Sequence, residues 1–147
     1  MPRGSHMTER YGGRSGSFEL QLAEFAAQAK GAIDASLREI VIELGGSLIR
    51  MSPVDTGRFR GNWQFSIAAP AGGTLDATDP TGAETTARIV GESIEFRAGT
   101  TAFIVNNLPY AIPLEYGHSD QAPDGMVRIT QARFQQIVEE AIRNNQV

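Results

Sequence analysis

Three stretches of this chain hold residue types that can do chemistry, and the strongest is Asp55-Thr56-Gly57. In a two-subunit aspartic protease, two copies of such an aspartate share a proton and activate water. That chemistry wants an apolar strand ahead of the aspartate and a small residue after the glycine. Here Ser52-Pro53 lies ahead and Arg58 follows. A cation beside the dyad favours the charged form of both carboxylates and opposes the shared proton. A homodimeric aspartic-type protease centred on Asp55 is therefore the alternative reading of this stretch. The second stretch is His118 with Glu115 and Asp120 close in sequence. One histidine beside two carboxylates matches no ligand spacing for a metal, and an exposed loop histidine is expected. The third, Gly72-Gly73-Thr74, lacks the lysine and the strand-to-helix setting of a phosphate loop. No serine sits in a nucleophile elbow. The chain has no cysteine, which removes disulfides, thiolate metal sites and thiol nucleophiles. No catalytic residue, metal or cofactor is expected.

The elements that position these residues start with a long amphipathic helix. Apolar residues recur at Phe18, Leu22, Phe25, Ala29, Ile33, Leu37, Ile40, Leu44 and Leu48, always three or four apart. That is one face of an α-helix over Phe18 to Met51. At ~1.5 Å per residue the rod is roughly 50 Å long. A domain of 147 residues cannot bury it end to end, so it should kink, or protrude and pack on a neighbouring subunit. Gly31, Gly45 and Gly46 mark weakened turns or close approach by another element. Glu24, Gln28, Asp34, Arg38 and Glu39 read as a solvated stripe. Pro53 ends the helix. Asp55 to Arg58 suits a type II turn with Gly57 at the positive-φ position, and the Asp55 carboxylate can accept N–H groups of that turn. Alternation from Phe59 through Gly61, Trp63, Phe65 and Ile67 predicts a half-buried strand. Trp63 reads as a core or sheet-face anchor, with a subunit interface as the alternative.

Pro70 to Thr78 is a loop by composition. Asp79-Pro80 reads as an N-cap and first helical position, with Thr81 and Glu84 fitting a capping box. The helix should run from about Pro80 to Glu92 and bury Ala83, Ala87 and Val90. Ile94 to Phe96 is a short strand candidate, and Ala98-Gly99-Thr100 a turn. Thr101 to Asn106 is a stronger strand that should pair with the strand of Trp63. In the compact run from Asn107 to Gly117, Pro109 and Pro113 forbid a long helix, and Gly117 can close a short one as its left-handed cap. Asp124 should cap a final helix over about Gly125 to Asn144, burying Met126 or Val127, Thr130, Phe134, Ile137, Val138 and Ala141. The sum is an α+β domain: a long N-terminal helix and a C-terminal helix packed on a small antiparallel β-sheet.

Met1-Pro2-Arg3-Gly4-Ser5-His6-Met7 has the pattern of a protease site and cloning scar, so residues 1–7 are set aside and Met7 taken as the native start. Residues 8–17 read as a flexible, glycine-rich arm with Ser15 or Ser17 as helix cap, and 18–147 as one domain. Setting Arg3 aside moves the formal net charge one unit below its −4. Such an acidic chain is a poor match for DNA phosphates, and no sequence-specific nucleic-acid partner is expected. No apolar run is long enough to span a membrane. These features fit a protein that folds in a cytoplasm.

Two blocks carry a family resemblance. Ser52-Pro53-Val54-Asp55-Thr56-Gly57-Arg58-Phe59-Arg60-Gly61-Asn62-Trp63 resembles the "helix, then P-V-D-T-G-x-[L/F]-R" signature of the tail-component family of long-tailed bacteriophages and prophages. These are small head–tail joining, or neck, proteins. Asn106-Asn107-Leu108-Pro109-Tyr110-Ala111, Leu114-Glu115-Tyr116-Gly117-His118-Ser119 and Gln121-Ala122-Pro123-Asp124-Gly125-Met126-Val127-Arg128 are similar to the same family's second segment. The order of elements fits, and the resemblance covers about Phe18 to Asn144. Pro113 departs from it, standing where relatives would carry a polar residue.

The resemblance implies a structural virion protein without enzymatic activity. It would form an oligomeric ring, with sixfold symmetry the natural guess because tail tubes of this class are sixfold. Its partners would be further copies of itself and neighbouring head–tail connector and tail proteins. Its place would be the virion neck or tail, after assembly in the host cytoplasm. Within the blocks, Asp55, Thr56 and Gly57 either fix where helix meets strand or lie at a subunit contact. Tyr110, Glu115, Tyr116 and Gly117 either close the core beneath the sheet or face a neighbour, and Asn107, Pro109 and Met126 belong to the same interface or structural motif. Arg58, Arg60 and Arg128 are solvated or pair with Asp55 and Glu115, and Glu115 is expected to pair with one of them.

Overall fold

The computed structural model describes residues 15–117 and 119–146, with side chains from Ala27 onward. Residues 1–7, expected to be a cloning scar, most of the expected arm over 8–17, and His118 lie outside the described residues. The elements are α1 (Ser15–Met51), α2 (Arg58–Gly61), β1 (Trp63–Ile67), α3 (Ala83–Ser93), β2 (Ala102–Asn106), α4 (Ala111–Glu115), α5 (Val127–Ala132) and α6 (Phe134–Asn144). Among the described residues the fold is α+β, with a long helix first, two helices last and one two-stranded sheet. β1 and β2 pair antiparallel, with Trp63 opposite Asn106, Phe65 opposite Ile104 and Ile67 opposite Ala102.

α1 is a single helix of 37 residues, starting three residues ahead of the expected Phe18. Its last turns organise the core. Val41, Leu48 and Ile49 are buried with Phe59, Trp63, Phe65, Ile89, Phe96, Leu108 and Met126. Gly45 lets α3 close in: a Cβ there would meet Ile89 Cγ2 at 3.4 Å. No atom lies within 4 Å of the corresponding point at Gly31. The Ser47 and Thr130 hydroxyls bond at 2.9 Å, and Ser36 Oγ donates to Ala141 O at 3.4 Å, which fixes α5 and α6 on α1.

The buried face of α1 is rotated from the predicted stripe. Leu37, Ile40 and Leu44 are only partly buried, and Ile33 is 52% exposed. Asp34, expected in the solvated stripe, is buried because its carboxylate accepts the Ala98 N–H at 2.8 Å.

Four further expectations are corrected. Arg58 to Asn62 is a helical turn instead of the start of a strand. The Gly57 carbonyl accepts the Gly61 N–H at 2.9 Å, and Phe59 and Trp63, four apart, meet edge to face at 5.8 Å. The third helix starts at Ala83, because Gly82 is left-handed (φ 81°) and closes a turn on Asp79 O at 3.1 Å. That shift buries Thr85, Ile89 and Ser93 and leaves Ala83, Ala87 and Val90 exposed. Ile94 to Phe96 is a turn in which the Phe96 N–H reaches Ser93 O at 3.0 Å, and Phe96 packs on Phe65. The C-terminal helix is two helices broken at Arg133 (φ −95°, ψ 1°), and the break lets Thr130 and the Ile137/Ala141 face both reach α1. Phe134 and Val127 are then 47% and 46% exposed.

Candidate functional site

The two sequence blocks fold against one another. Pro53 leads the chain off α1 and Gly57 turns it back with φ 90° and ψ 3°, the geometry required at the third position of a type II turn. Gly57 is also a contact point. A Cβ there would lie 2.8 Å from backbone atoms of Asp79 and closer still to Pro80 N, and the Asp79 N–H donates to Gly57 O at 2.9 Å. Asp55 and Thr56 stand exposed. The turn is closed by Thr56 and not by Asp55: the Arg58 N–H donates to Thr56 Oγ1 at 3.2 Å. Arg58 makes no ion pair among the described residues, whereas Arg60 donates to the carbonyls of Pro80 and Ser52 at 2.8 and 2.9 Å. Trp63 is 4% exposed, and its indole N–H donates to Ser52 Oγ at 2.7 Å. Ser52 Oγ in turn donates to Leu48 O at 2.6 Å, which ties the strand to the end of α1.

Asp79 holds the next helix. Its Oδ2 accepts the backbone N–H and the hydroxyl of Thr85, both at 2.7 Å. Burial pushes the Asp79 carboxyl up. The two bonds from Thr85, with the N–H groups of Gly82 and Glu84, outweigh burial and hold it below the usual carboxylate range.

The second block is organised by Glu115. Its Oε1 accepts the N–H groups of Met126 and Val127 at 2.8 and 2.9 Å, and Oε2 accepts that of Arg128 at 3.0 Å. The Arg128 side chain adds an Nε bond to Oε2 at 3.1 Å, and its NH2 donates to Glu115 O. The expected pair between Glu115 and an arginine is therefore made with Arg128. Glu115, and not Asp124, caps α5, since the negative carboxylate satisfies the N–H groups of the helix start. Burial pushes the Glu115 carboxyl up, and the four hydrogen bonds to it outweigh burial and lower it. Gly125 (φ 84°) makes room, because a Cβ there would lie 2.7 Å from Glu115 Oε2 and closer to its carbonyl.

Gly117 is left-handed as expected (φ 86°), and a Cβ there would lie 2.7 Å from Pro123 O. Tyr116 does not close the core. It is 65% exposed, with the Arg128 guanidinium 4.8 Å above its ring. Tyr110 is 40% exposed and packs on Phe59 at 6.0 Å. Asn107 pins the loop, donating to Ala71 O and Gly73 O at 2.9 and 3.0 Å, and Pro109 lies exposed beside it.

Gln121 joins the blocks. Its amide accepts the Val54 N–H at 2.9 Å and donates to Val54 O at 3.1 Å, as a neighbouring strand would. The joint borders a depression of about 420 Å³ lined by Asp55, Thr56, Gly57 and Arg58 from one block and Tyr110 from the other. Trp63, Asn107, Glu115, Tyr116, Met126 and Arg128 line a second depression, which Phe59 also borders. The sequence reading missed Gln121, Asn62 and Arg88. Asn62 is fully buried and bonds both the N–H and the C=O of Leu75, at 2.7 and 3.0 Å. Arg88 donates to Gly61 O and Trp63 O.

Among the described residues no cluster of three or more His, Cys, Asp or Glu side chains is placed to hold a metal ion. Among them, too, no helix is long and apolar enough to cross a membrane. Comparison with protein-family models, with curated proteins and with solved structures returned no match.

Proposed function

We propose that this chain is a structural virion protein of a long-tailed bacteriophage or prophage, acting in head–tail joining or tail completion. It works by assembling with copies of itself into a ring and by docking neighbouring connector and tail proteins. The observation that carries the reading is the joint between the two blocks. Residues 52–63 and 106–128, which bear the resemblance, are locked together by the Val54–Gln121 amide pair, the Phe59–Tyr110 contact and the Asn106 Nδ2 bond to Phe59 O at 2.9 Å. The polar side chains of that joint are engaged in holding backbone, which suits a rigid assembly surface. Asp55 and Tyr110 are exposed at its rim beside the half-buried Arg58, which suits contact with a partner. The proposal contains no catalytic step.

The test is deletion of the gene in the phage or prophage that encodes it. Electron micrographs of the lysate should show filled heads and separate tails, and supplying the protein in trans should restore joined particles. Normal joined virions from the deletion would overturn the proposal.

A further inference from the structure

We infer that the N-terminal half of α1 of one copy lies in an apolar trough on the next copy. This deepens the assembly reading above by naming its contact, and depends on that reading only for the closure of the contacts into a ring.

The trough holds about 530 Å³ between α1, β2 and the corner of α5 and α6. Its walls include Leu37, Leu44, Ile104, Val127 and Phe134, and no ionisable side chain lines it. Thr130, one of its few polar groups, already spends its hydroxyl on Ser47. Beyond Thr130 the wall offers a small polar ligand only the Gln131 side chain. An apolar surface has the rest of the wall to bind.

The same molecule carries a matching surface. The bond between α1 and α6 furthest towards the start of α1, among the described residues, is from Ser36 Oγ to Ala141 O, at 3.4 Å. Ahead of that point α1 continues to Ser15. Ile33, on this extension, is 52% exposed. Helical spacing continues its line through Ala29 to the positions of Phe25, Leu22 and Phe18. From Phe18 to Ile33 the line is roughly 22 Å long, against roughly 16 Å for the trough wall from Leu37 to Leu48, at ~1.5 Å per residue. Ala27, Ala29 and Ala32 keep this part of the helix slim, and small side chains let another element approach closely.

The occupant must come from another copy. The wall of the trough and the extension belong to one unbroken helix, so a chain cannot fold its own extension into its own trough. Extension and trough are also different surfaces, so the contact is heterologous and adds copies in one direction until a rotation closes it.

The test uses the whole chain carrying Ile33→Glu on the extension or Phe134→Glu in the trough. Both positions are about half exposed, and circular dichroism checks that each variant stays folded. Light scattering from micromolar to near-millimolar concentration should show the unaltered protein growing past its 15.9 kDa single-chain mass. Each variant should associate at least tenfold more weakly. An equimolar mixture of the two should form two-chain species and nothing larger, because one intact extension then meets one intact trough. A wild-type chain that stays single throughout, variants that assemble as it does, or a mixture that fails to pair would each overturn the inference. None of these outcomes depends on the gene-deletion phenotype, so the two readings can fail separately.

Discussion

The junction of Gly57 with Asp79 and the junction of Gly125 with Glu115 are built from the same two parts. In each, a left-handed glycine lets a carboxylate-bearing segment close onto it, and the carboxylate holds the start of a helix. They differ in reach and in partner. Asp79 bonds Thr85, six residues on, and is buried, with no ion pair to it among the described residues. Glu115 reaches Met126 to Arg128 across a connecting loop and shares its charge with Arg128. The first junction is a local device set by hydrogen bonds alone. The second staples two distant segments and adds an ion pair at the surface. One job, satisfying the first N–H groups of a helix, is thus done from nearby in one case and from afar in the other, with different sensitivity to solvent.

The sharpest way to break the likeness is to fill the glycines. Gly57→Ala and Gly125→Ala each combine a positive φ with a backbone collision, and each should destabilise the fold by about 3 kcal/mol or more, read from urea midpoints. A small loss at one site alone would show that its close approach can relax and that the two junctions are not equivalent.

Removing the carboxylates should sharpen the difference. Asp79→Ala and Glu115→Ala should each cost about 2 kcal/mol at neutral pH, because helix-start N–H groups lose charge-assisted partners. Salt near 1 M should trim the Glu115 loss and leave the Asp79 loss unchanged. Both carboxyls titrate below their ordinary values in the folded chain, so the unfolded chain takes up protons first. The stabilisation is complete above the ordinary carboxyl range, ~4, and is lost as the pH falls through the lowered folded values. Urea midpoints followed from about pH 6 to about pH 3 should therefore fall less steeply in the double variant. An unchanged slope would mean that other groups carry the acid sensitivity.

The smallest effect belongs to Arg128. Its side chain is 51% exposed, and exposed ion pairs contribute little once screened by solvent. Arg128→Ala should cost under about 1 kcal/mol by the same measurement, since three N–H groups still hold Glu115. A loss as large as that of Glu115→Ala would make the ion pair, and not the cap, the active part of the junction.

The two junctions also mark what the sequence could reveal. Asp79 ahead of a helix is a local pattern, and its capping role was legible even though the helix begins three residues later than predicted. Gly57, Gly99 and Gly117 were legible as turn glycines, and all three have positive φ. The strand at Ala102–Asn106 and its pairing with β1 followed from apolar runs alone. The cap from Glu115 was hidden because its partners lie 11 to 13 residues away, and Asp124, nearer the helix, competed for the role. The alternation after Arg58 misled because Phe59 and Trp63 fit a helical turn as well as a strand. The apolar line on α1 is helical as its spacing predicts, but the face that is buried is rotated from that line, since periodicity reports a face and not what covers it. Gln121 and Asn62 carried no signal: amide side chains that bond distant backbone look like any surface residue in sequence.

Trp63 is the single tryptophan of the chain, and it sits buried against the end of α1 with its indole N–H donated to Ser52. The molecule thus carries one native fluorophore at the seam where its longest helix meets its sheet. Emission from this site should shift to the red when that seam opens. Fluorescence alone, without a label, can then separate a variant that has lost its neighbours from one that has lost its fold.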